Sequence, residues 1–261
     1  MNTVGIIAEY NPFHTGHSYH LKKARQLSGC SFCTVILSPD FVQRGEPALL
    51  GKYERAKMAL RSGADLVIEL PVCYSTGSAE YFARGACALL EAIGVTECLC
   101  FGAETGTEED FQEAAAFLGD ETAEYSALLS TLLRSGLTFP KAREQAANSV
   151  LKQYKKRAFP DSFLSSPNNI LGIEYAKALA GLHSPIRLLP LRRKGNAYHD
   201  TSLSGSFCSA EATSAFCKAL PCAGGTSCMM CSCAAISVMT CSCWLIGWYC
   251  AWRSRRIRLW P

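Results

Sequence analysis

The stretch TVGIIAEYNPFHTGH, residues 3–17, decides how the rest of the chain is read. Its opening, TVGIIA (3–8), is a short apolar run bounded by polar loop, which predicts a buried strand. EYNPFHTG then reads as loop, and HSYHLKKARQLS (17–28) carries helical spacing. The same alternation continues outward. CTVILS (33–38), ADLVIEL (64–70), ECLCFG (97–102) and IRLLPLRR (186–193) read as strands. YERAKMALRSG (53–63), SAEYFARGACALLEAIG (78–94) and NNILGIEYAKALAG (168–181) read as helices. Residues 108–155 look helical throughout, as an insertion or cap. Near-continuous apolar strands alternating with amphipathic helices predict an α/β fold, a doubly wound parallel sheet covered on both faces. In such a sheet ligands bind beyond the carboxyl ends of the strands. The loops at 9–17, 39–51, 71–77 and 102–107 are therefore the places to look for chemistry.

The first of these loops ends in His14-Thr15-Gly16-His17 and runs straight into a helix. Gly16 permits close approach of backbone, and a helix N-terminus offers amide N–H groups and the positive end of a dipole to an anion. Two imidazoles three residues apart can both donate to charge that builds on a phosphoryl group. Nucleotidyl transfer is mostly positioning plus such stabilisation. The competing reading is two surface histidines at a helix start. Placement directly after the first strand favours the phosphate site.

The wider motif GIIAEYNPFHTGH (5–17) resembles the first motif of the HIGH-type nucleotidyltransferases, and more specifically that of the tRNA(Met) cytidine acetate ligase family. FVQRGEP (41–47), GADLVIELP (63–71), SAEYFA (78–83), FGAE (101–104) and SPNNILGIEY (166–175) are similar to further segments of that family, as are Arg193 and Tyr198-His199-Asp200. The resemblance spans about residues 3–211 and implies the Rossmann-like fold of those enzymes. It implies ATP-dependent activation of acetate to acetyl-adenylate, with pyrophosphate released. The acetyl group would then pass to the N4 amine of the wobble cytidine of elongator tRNA(Met), giving N4-acetylcytidine. It also implies that Ile7, Ala8, Glu9, Tyr10, Asn11, Pro12, Phe13, His14, Thr15, Gly16, His17, Ser18, Tyr19 and His20 wrap ATP. Gly102, Asn168 and Arg193 would complete the nucleotide site, with His14 and His17 catalytic. Physical reasons run alongside. Gly102 at a strand end lets adenosine lie on backbone, and Arg193 offers phosphate a planar cationic fork. Asn168 suits a base or ribose edge, or equally a helix N-cap. Asp40 and Arg44 lie in the second loop and carry less weight. Mg²⁺ is the expected companion of ATP.

Composition divides the chain. All 22 Asp and Glu, and all but four of the 26 Lys and Arg, precede residue 220, so the body is neutral and the net charge of +4 belongs to the tail. All four tryptophans and seven of the fifteen cysteines lie beyond residue 220. The chain thus divides into a nucleotidyltransferase-like ATP-binding domain at 1–212, with the helical insertion at 108–165, and an atypical Cys/Trp-rich tail at 213–261. The family similarity stops at Ser209–Ala212, where the composition changes, which favours an out-of-frame or truncated end. The alternative is a C-terminal membrane anchor, since Ala219–Trp252 is uncharged and RSRRIR follows.

The N-terminus lacks a basic segment followed by an apolar one, so a signal peptide is not expected and the protein is placed in the cytoplasm. The C-x-x-C pair Cys30/Cys33 reads as reduced thiols rather than a metal or redox site. An RNA footprint on a neutral body must be local: Lys22, Lys23 and Arg25, the run KQYKKR (152–157), and Arg192, Arg193 and Lys194 are the candidates. Two other functions compete. One is a different HIGH-type adenylyltransferase acting on a phosphorylated cofactor precursor; the other is an inactive nucleotide-binding homologue.

Overall fold

The computed structural model describes residues 2–193 apart from 121 and 156–158. Lys156, Arg157, Lys194, Tyr198-His199-Asp200 and the whole tail at 213–261 lie outside the described residues.

Five strands form one parallel sheet in the order β3-β2-β1-β4-β5: β1 Thr3–Ala8, β2 Phe32–Leu37, β3 Leu66–Glu69, β4 Thr96–Ala103 and β5 Arg187–Arg192. Ile7 of β1 sits opposite Ile36 of β2, and Val4 opposite Cys98 of β4. The helices are α1 Thr15–Ser28, α2 Lys52–Arg61, α3 Val72–Ser75, α4 Ala79–Ile93, α5 Glu108–Gly119, α6 Ala123–Arg134, α7 Phe139–Lys155 and α8 Pro167–Gly181. The parallel, doubly wound α/β architecture expected from the strand–helix alternation is the one found.

Strand side chains alternate between two cores, as a period of two requires. On one face Val4, Ile6, Cys33, Val35, Cys98 and Cys100 pack on Leu21 and Ala24 of α1 and Ala56 and Ala59 of α2. On the other, Ile36, Leu99 and Phe101 meet Phe82, Ala86 and Leu90 of α4 and Ile173 and Leu179 of α8. Burial of both faces explains why the strands read as unbroken apolar runs. Gly172 brings α8 hard against β4, since a Cβ there would lie 2.4 Å from the Phe101 ring.

Helix ends follow local chemistry. α1 and α4 stop at Gly29 and Gly94, both left-handed with φ 69° and 71°, where glycine has no Cβ to clash. The region expected to be helical throughout divides into α5, α6 and α7. Thr122 starts α6 by accepting the Tyr125 N–H at 3.3 Å. Phe111, Leu118, Tyr125, Ala146 and Val150 of these helices share one core with β4 and α8. The loop expected at 71–77 instead holds one turn of helix, α3. The Pro71 carbonyl accepts from Tyr74 and Ser75 N–H, and Ser75 Oγ donates to Phe41 O at 2.7 Å. A turn tied down at both ends is favoured over open loop.

The sheet order positions the site. The chain builds outward from β1 to β2 and β3, then crosses back to β4 on the other side of β1. The crevice at this reversal opens between the carboxyl ends of β1 and β4, at Ala8 and Ala103. Among the described residues no helix is long and apolar enough to cross a membrane.

Candidate functional site

His14 is the N-cap of α1, with extended backbone at φ −142° and ψ 175°. Its Nδ1 accepts the Gly16 N–H at 3.1 Å, and Nδ1 of His17 accepts the His14 N–H at 3.2 Å. The two rings stack with centroids 3.7 Å apart. This refines the reading of the helix start as a set of open amides: the Gly16 N–H is taken by an imidazole and the His17 N–H by the His14 carbonyl. Because each Nδ1 accepts, each ring carries its proton on Nε2. The pair therefore presents two Nε2–H donors. Gly16 is needed for the ring rather than for a ligand, since a Cβ there would lie 2.9 Å from His14 Cε1.

Both imidazoles are neutral near pH 7. Burial, then the charge of Arg193, pushes His14 down to about 4 from its ordinary 6.5. His17 is also held well below 6.5, by burial and then by His14, His20 and Arg193. His20, one turn further along α1, is lowered to about 4 by burial and Arg193, and its Nε2 lies 3.4 Å from Cys100 Sγ. Tyr10 and Phe13 wall the pair in; the Tyr10 ring is 4.8 Å from Phe13 and 4.7 Å from His17.

The β4–β5 side supplies the opposite wall. The Arg193 N–H donates to Ala103 O at 2.9 Å, which continues the sheet pairing and sets the arginine beside Gly102. A Cβ on Gly102 would meet only the Arg193 side chain, at 3.5 Å, an ordinary contact. Arg193 Nη1 stands 4.0 Å from Glu104 Oε1, and Asn168 Nδ2 donates to the same oxygen at 2.7 Å. Asn168 does not cap α8. Ser166 occupies that position, and Asn168 lies inside the first turn with its amide turned to Glu104.

The structure thus gathers His14, His17, Gly102, Asn168 and Arg193 around the β1–β4 crevice, with His20 behind them. The rest of the stretch from Ile7 to His20 divides. Ile7 and Ala8 end β1 and pack on its two cores. Tyr10 is buried, and its positive φ of 49° marks a backbone turn that an L-residue adopts only when packing enforces it. Glu9 Oε1 accepts Gln43 N–H and Asn11 Oδ1 accepts Leu49 N–H, both at 2.7 Å, so these two side chains hold the second loop. The Asn11–Pro12 peptide is cis. Ser18 Oγ reaches Ser62 Oγ at 3.5 Å, while Thr15 is exposed and Tyr19 partly so.

Three residues that the sequence reading did not single out organise the site. Arg55 of α2 is fully buried and donates to the carbonyls of Leu50, Glu9 and Pro39, so one guanidinium ties both loops together. Asn169 is fully buried; its Oδ1 accepts Glu104 N–H at 3.0 Å and its Nδ2 donates to Thr105 O. Glu104 is the third. An isolated arginine on a helix and a carboxylate at a strand end carry no period or spacing that marks them. Asp40 is structural: its Oδ1 accepts Lys52 N–H at 2.9 Å and starts α2. Arg44 lies in a 3₁₀ turn at Gln43–Gly45.

Of the candidate RNA-facing cations, Arg25 is committed elsewhere, to Asp65 and to the carbonyls of Ser31 and Gly63. Lys22, Lys152 and Arg192 are exposed, and Lys23 is half-buried. Cys30 and Cys33 are buried in the core, where burial pushes the Cys33 thiol up to about 12. Among the described residues no three His, Cys, Asp or Glu side chains are grouped to hold a metal ion.

Comparison with known proteins places this geometry. The sequence profile of the HIGH Nucleotidyl Transferase family matches residues 1–220. The tRNA(Met) cytidine acetate ligase of Acetivibrio thermocellus is 45% identical over 212 residues, which is 81% of this chain and 50% of that protein. The protein of the same name from a Thermoanaerobacter species is 44% identical over 211 residues, 81% of this chain and 52% of its own. Among solved structures, apo Thermotoga maritima TmcAL superimposes with a TM-score of 0.77 at 38% identity, covering 84% of this chain and 52% of that one. The same protein bound with alpha-thio ATP gives a TM-score of 0.73 at 36% identity, covering 84% and 50%. The chain spans about half the length of the curated relatives it matches. A parallel sheet reversing at β1, a His-x-Gly-His turn at its switch point and a family match over most of the sequence agree: the chain belongs to the HIGH nucleotidyl transferase family.

Proposed function

We propose that this chain acts as a tRNA(Met) cytidine acetate ligase, adenylating acetate and passing the acetyl group to the tRNA. The observation that carries the proposal is the stacked, neutral His14–His17 pair, facing Arg193 across the β1–β4 crevice. ATP lies with its triphosphate against α1 and its adenosine over Gly102. An acetate oxygen attacks the α-phosphorus, the bond to the β-phosphate oxygen breaks, and pyrophosphate leaves. Two Nε2–H donors and a guanidinium suit the charge that develops on the phosphoryl oxygens, and neutral imidazoles donate without having to release a proton. In the second step the N4 amine of the wobble cytidine of elongator tRNA(Met) attacks the acetyl carbon. The carbon–oxygen bond to AMP breaks with its electron pair, and the amine proton passes to solvent. The product is N4-acetylcytidine.

The names of the relatives support this reading, and so does the alpha-thio ATP bound to the Thermotoga maritima protein. Mg²⁺ accompanying ATP would be held by phosphate oxygens and water, since the described side chains offer no cage for it. The RNA would approach over the exposed Lys22, Lys152 and Arg192. The reading places the protein in the cytoplasm, where the six described cysteines would stay free thiols.

The test is product analysis. The chain is incubated with ATP, isotopically labelled acetate and elongator tRNA(Met) transcripts carrying C or U at the wobble position, and the digested nucleosides are read by mass spectrometry. Labelled N4-acetylcytidine from the C transcript alone is expected. ATP turnover that ignores acetate but responds to a phosphorylated cofactor precursor would replace this reading with the adenylyltransferase one.

A further inference from the structure

We infer that Glu104 receives the ribose hydroxyls of the bound nucleotide and so sets its preference for ribonucleotides. The inference rests on the adenylating reading of the crevice above.

Glu104 follows β4 at the switch point, two residues beyond Gly102. Its position is built rather than incidental. The buried Asn169 holds the Glu104 backbone N–H and, through Thr105 O and Oγ1, the turn that carries it. Asn168 donates to Oε1 at 2.7 Å, and Arg193 stands 4.0 Å from the same oxygen. The other oxygen, Oε2, is buried and meets no hydrogen-bond donor among the described residues. A carboxylate oxygen has lone pairs to satisfy, and one left without donors is costly. The side chain as a whole is 27% exposed while Oε2 itself is closed off, so the carboxylate must turn outward to meet a ligand.

Charge and position narrow the occupant. A carboxylate repels phosphate and carboxylate groups, and Arg193 already stands as the cation beside it, so a further partner brought by a nucleotide is an uncharged donor. A nucleotide whose α-phosphate lies between the histidine pair and Arg193 carries its ribose one ester linkage further along. Glu104 is within 4.0 Å of that arginine, on the Gly102 side where the adenosine would rest. A vicinal diol is the neutral donor that belongs there. An acidic side chain accepting ribose hydroxyls near a strand end is physically sound in nucleotide-binding sheets.

The experiment is calorimetric titration of the full chain with ATP, 2′-deoxyATP and 3′-deoxyATP, repeated on Glu104→Gln. The wild-type chain is expected to bind ATP roughly tenfold more tightly than at least one deoxy analogue. Glu104→Gln should lose about tenfold for ATP while changing less than about twofold for that analogue, so the discrimination collapses. Wild-type affinities for all three nucleotides within twofold of each other would overturn the inference. So would a variant that weakens all three equally, the outcome a purely structural glutamate predicts. If Glu104→Gln does not fold, Glu104→Asp takes its place, with the same loss of discrimination expected because the shorter side chain withdraws the carboxylate. ATP bound with ribose discrimination but without acetate-dependent turnover would sustain Glu104 and remove the acetate reading. No ATP binding at all would remove both.

Discussion

Two glycines make opposite demands on the site. At Gly16 a Cβ would strike the His14 ring at 2.9 Å, whereas at Gly102 it would touch only the Arg193 side chain at 3.5 Å. Gly16→Ala must therefore displace the imidazole that it packs beneath. A displacement near 1 Å in a positioned group costs on the order of 100-fold in rate, and that loss in ATP–pyrophosphate exchange is expected with little change in melting temperature. Gly102→Ala meets no protein obstacle, so the chain should melt within about 2 °C of wild type, as an ordinary contact implies. Its ATP affinity should nevertheless fall about tenfold or more by calorimetry, because on the proposed reading the methyl group takes the space of the adenosine. Unchanged affinity in Gly102→Ala would mean that adenosine does not lie there. At this scale much of the site was legible in the sequence. His14 and His17 stand out by spacing after a strand, whereas Gly102 and Arg193 come from the family resemblance, with a strand end as the physical reason alongside. Glu104, Asn169 and Arg55 were not legible, because their significance rests on partners distant in sequence: 64 or 65 residues between Glu104 and the Asn168–Asn169 pair, and 46 between Arg55 and Glu9.

Elements matter here chiefly as holders of loops. α2 contributes Arg55, whose buried guanidinium donates to Leu50 O, Glu9 O and Pro39 O. Asp40 and Glu9 lie near enough to favour its charge, although burial alone lowers its pKa. Arg55→Met removes the donors and leaves buried carbonyls unpaired, at about 1–3 kcal/mol each. Urea unfolding should show a loss of at least about 3 kcal/mol, and a loss under 1 kcal/mol would show that water or side-chain repacking satisfies those carbonyls. The strands and long helices were readable because period and capping residues speak locally: Gly29 and Gly94 end α1 and α4 as their positions suggest. α3 was not, since VCYS has no helical period and is held by Pro71 and by Ser75 reaching Phe41. The divisions between α5, α6 and α7 were also hidden, because all three bury one apolar stripe in the same core.

Across the whole molecule, the site imposes a pH dependence on stability. His14 and His20 titrate near 4 in the folded chain against an ordinary 6.5, and His17 is displaced the same way. Between those values the unfolded chain binds more protons, so stability is fully present above pH 6.5 and is lost as pH falls towards 4. For the buried His20 this loss is on the order of 3 kcal/mol. Melting temperature should thus drop between pH 6.5 and 4.5, and His20→Gln should flatten the drop. A drop equally steep in that variant would assign the acid sensitivity to carboxylates instead. The central claim is that the crevice between β1 and β4 adenylates acetate using two neutral imidazoles. ATP–pyrophosphate exchange by the full chain, with and without acetate, beside His14→Ala and His17→Ala, tests it most directly. The account predicts acetate-dependent exchange that falls roughly 100-fold or more in each variant, the scale of losing a positioned donor. Exchange that proceeds without acetate, or that survives loss of both histidines, would contradict it.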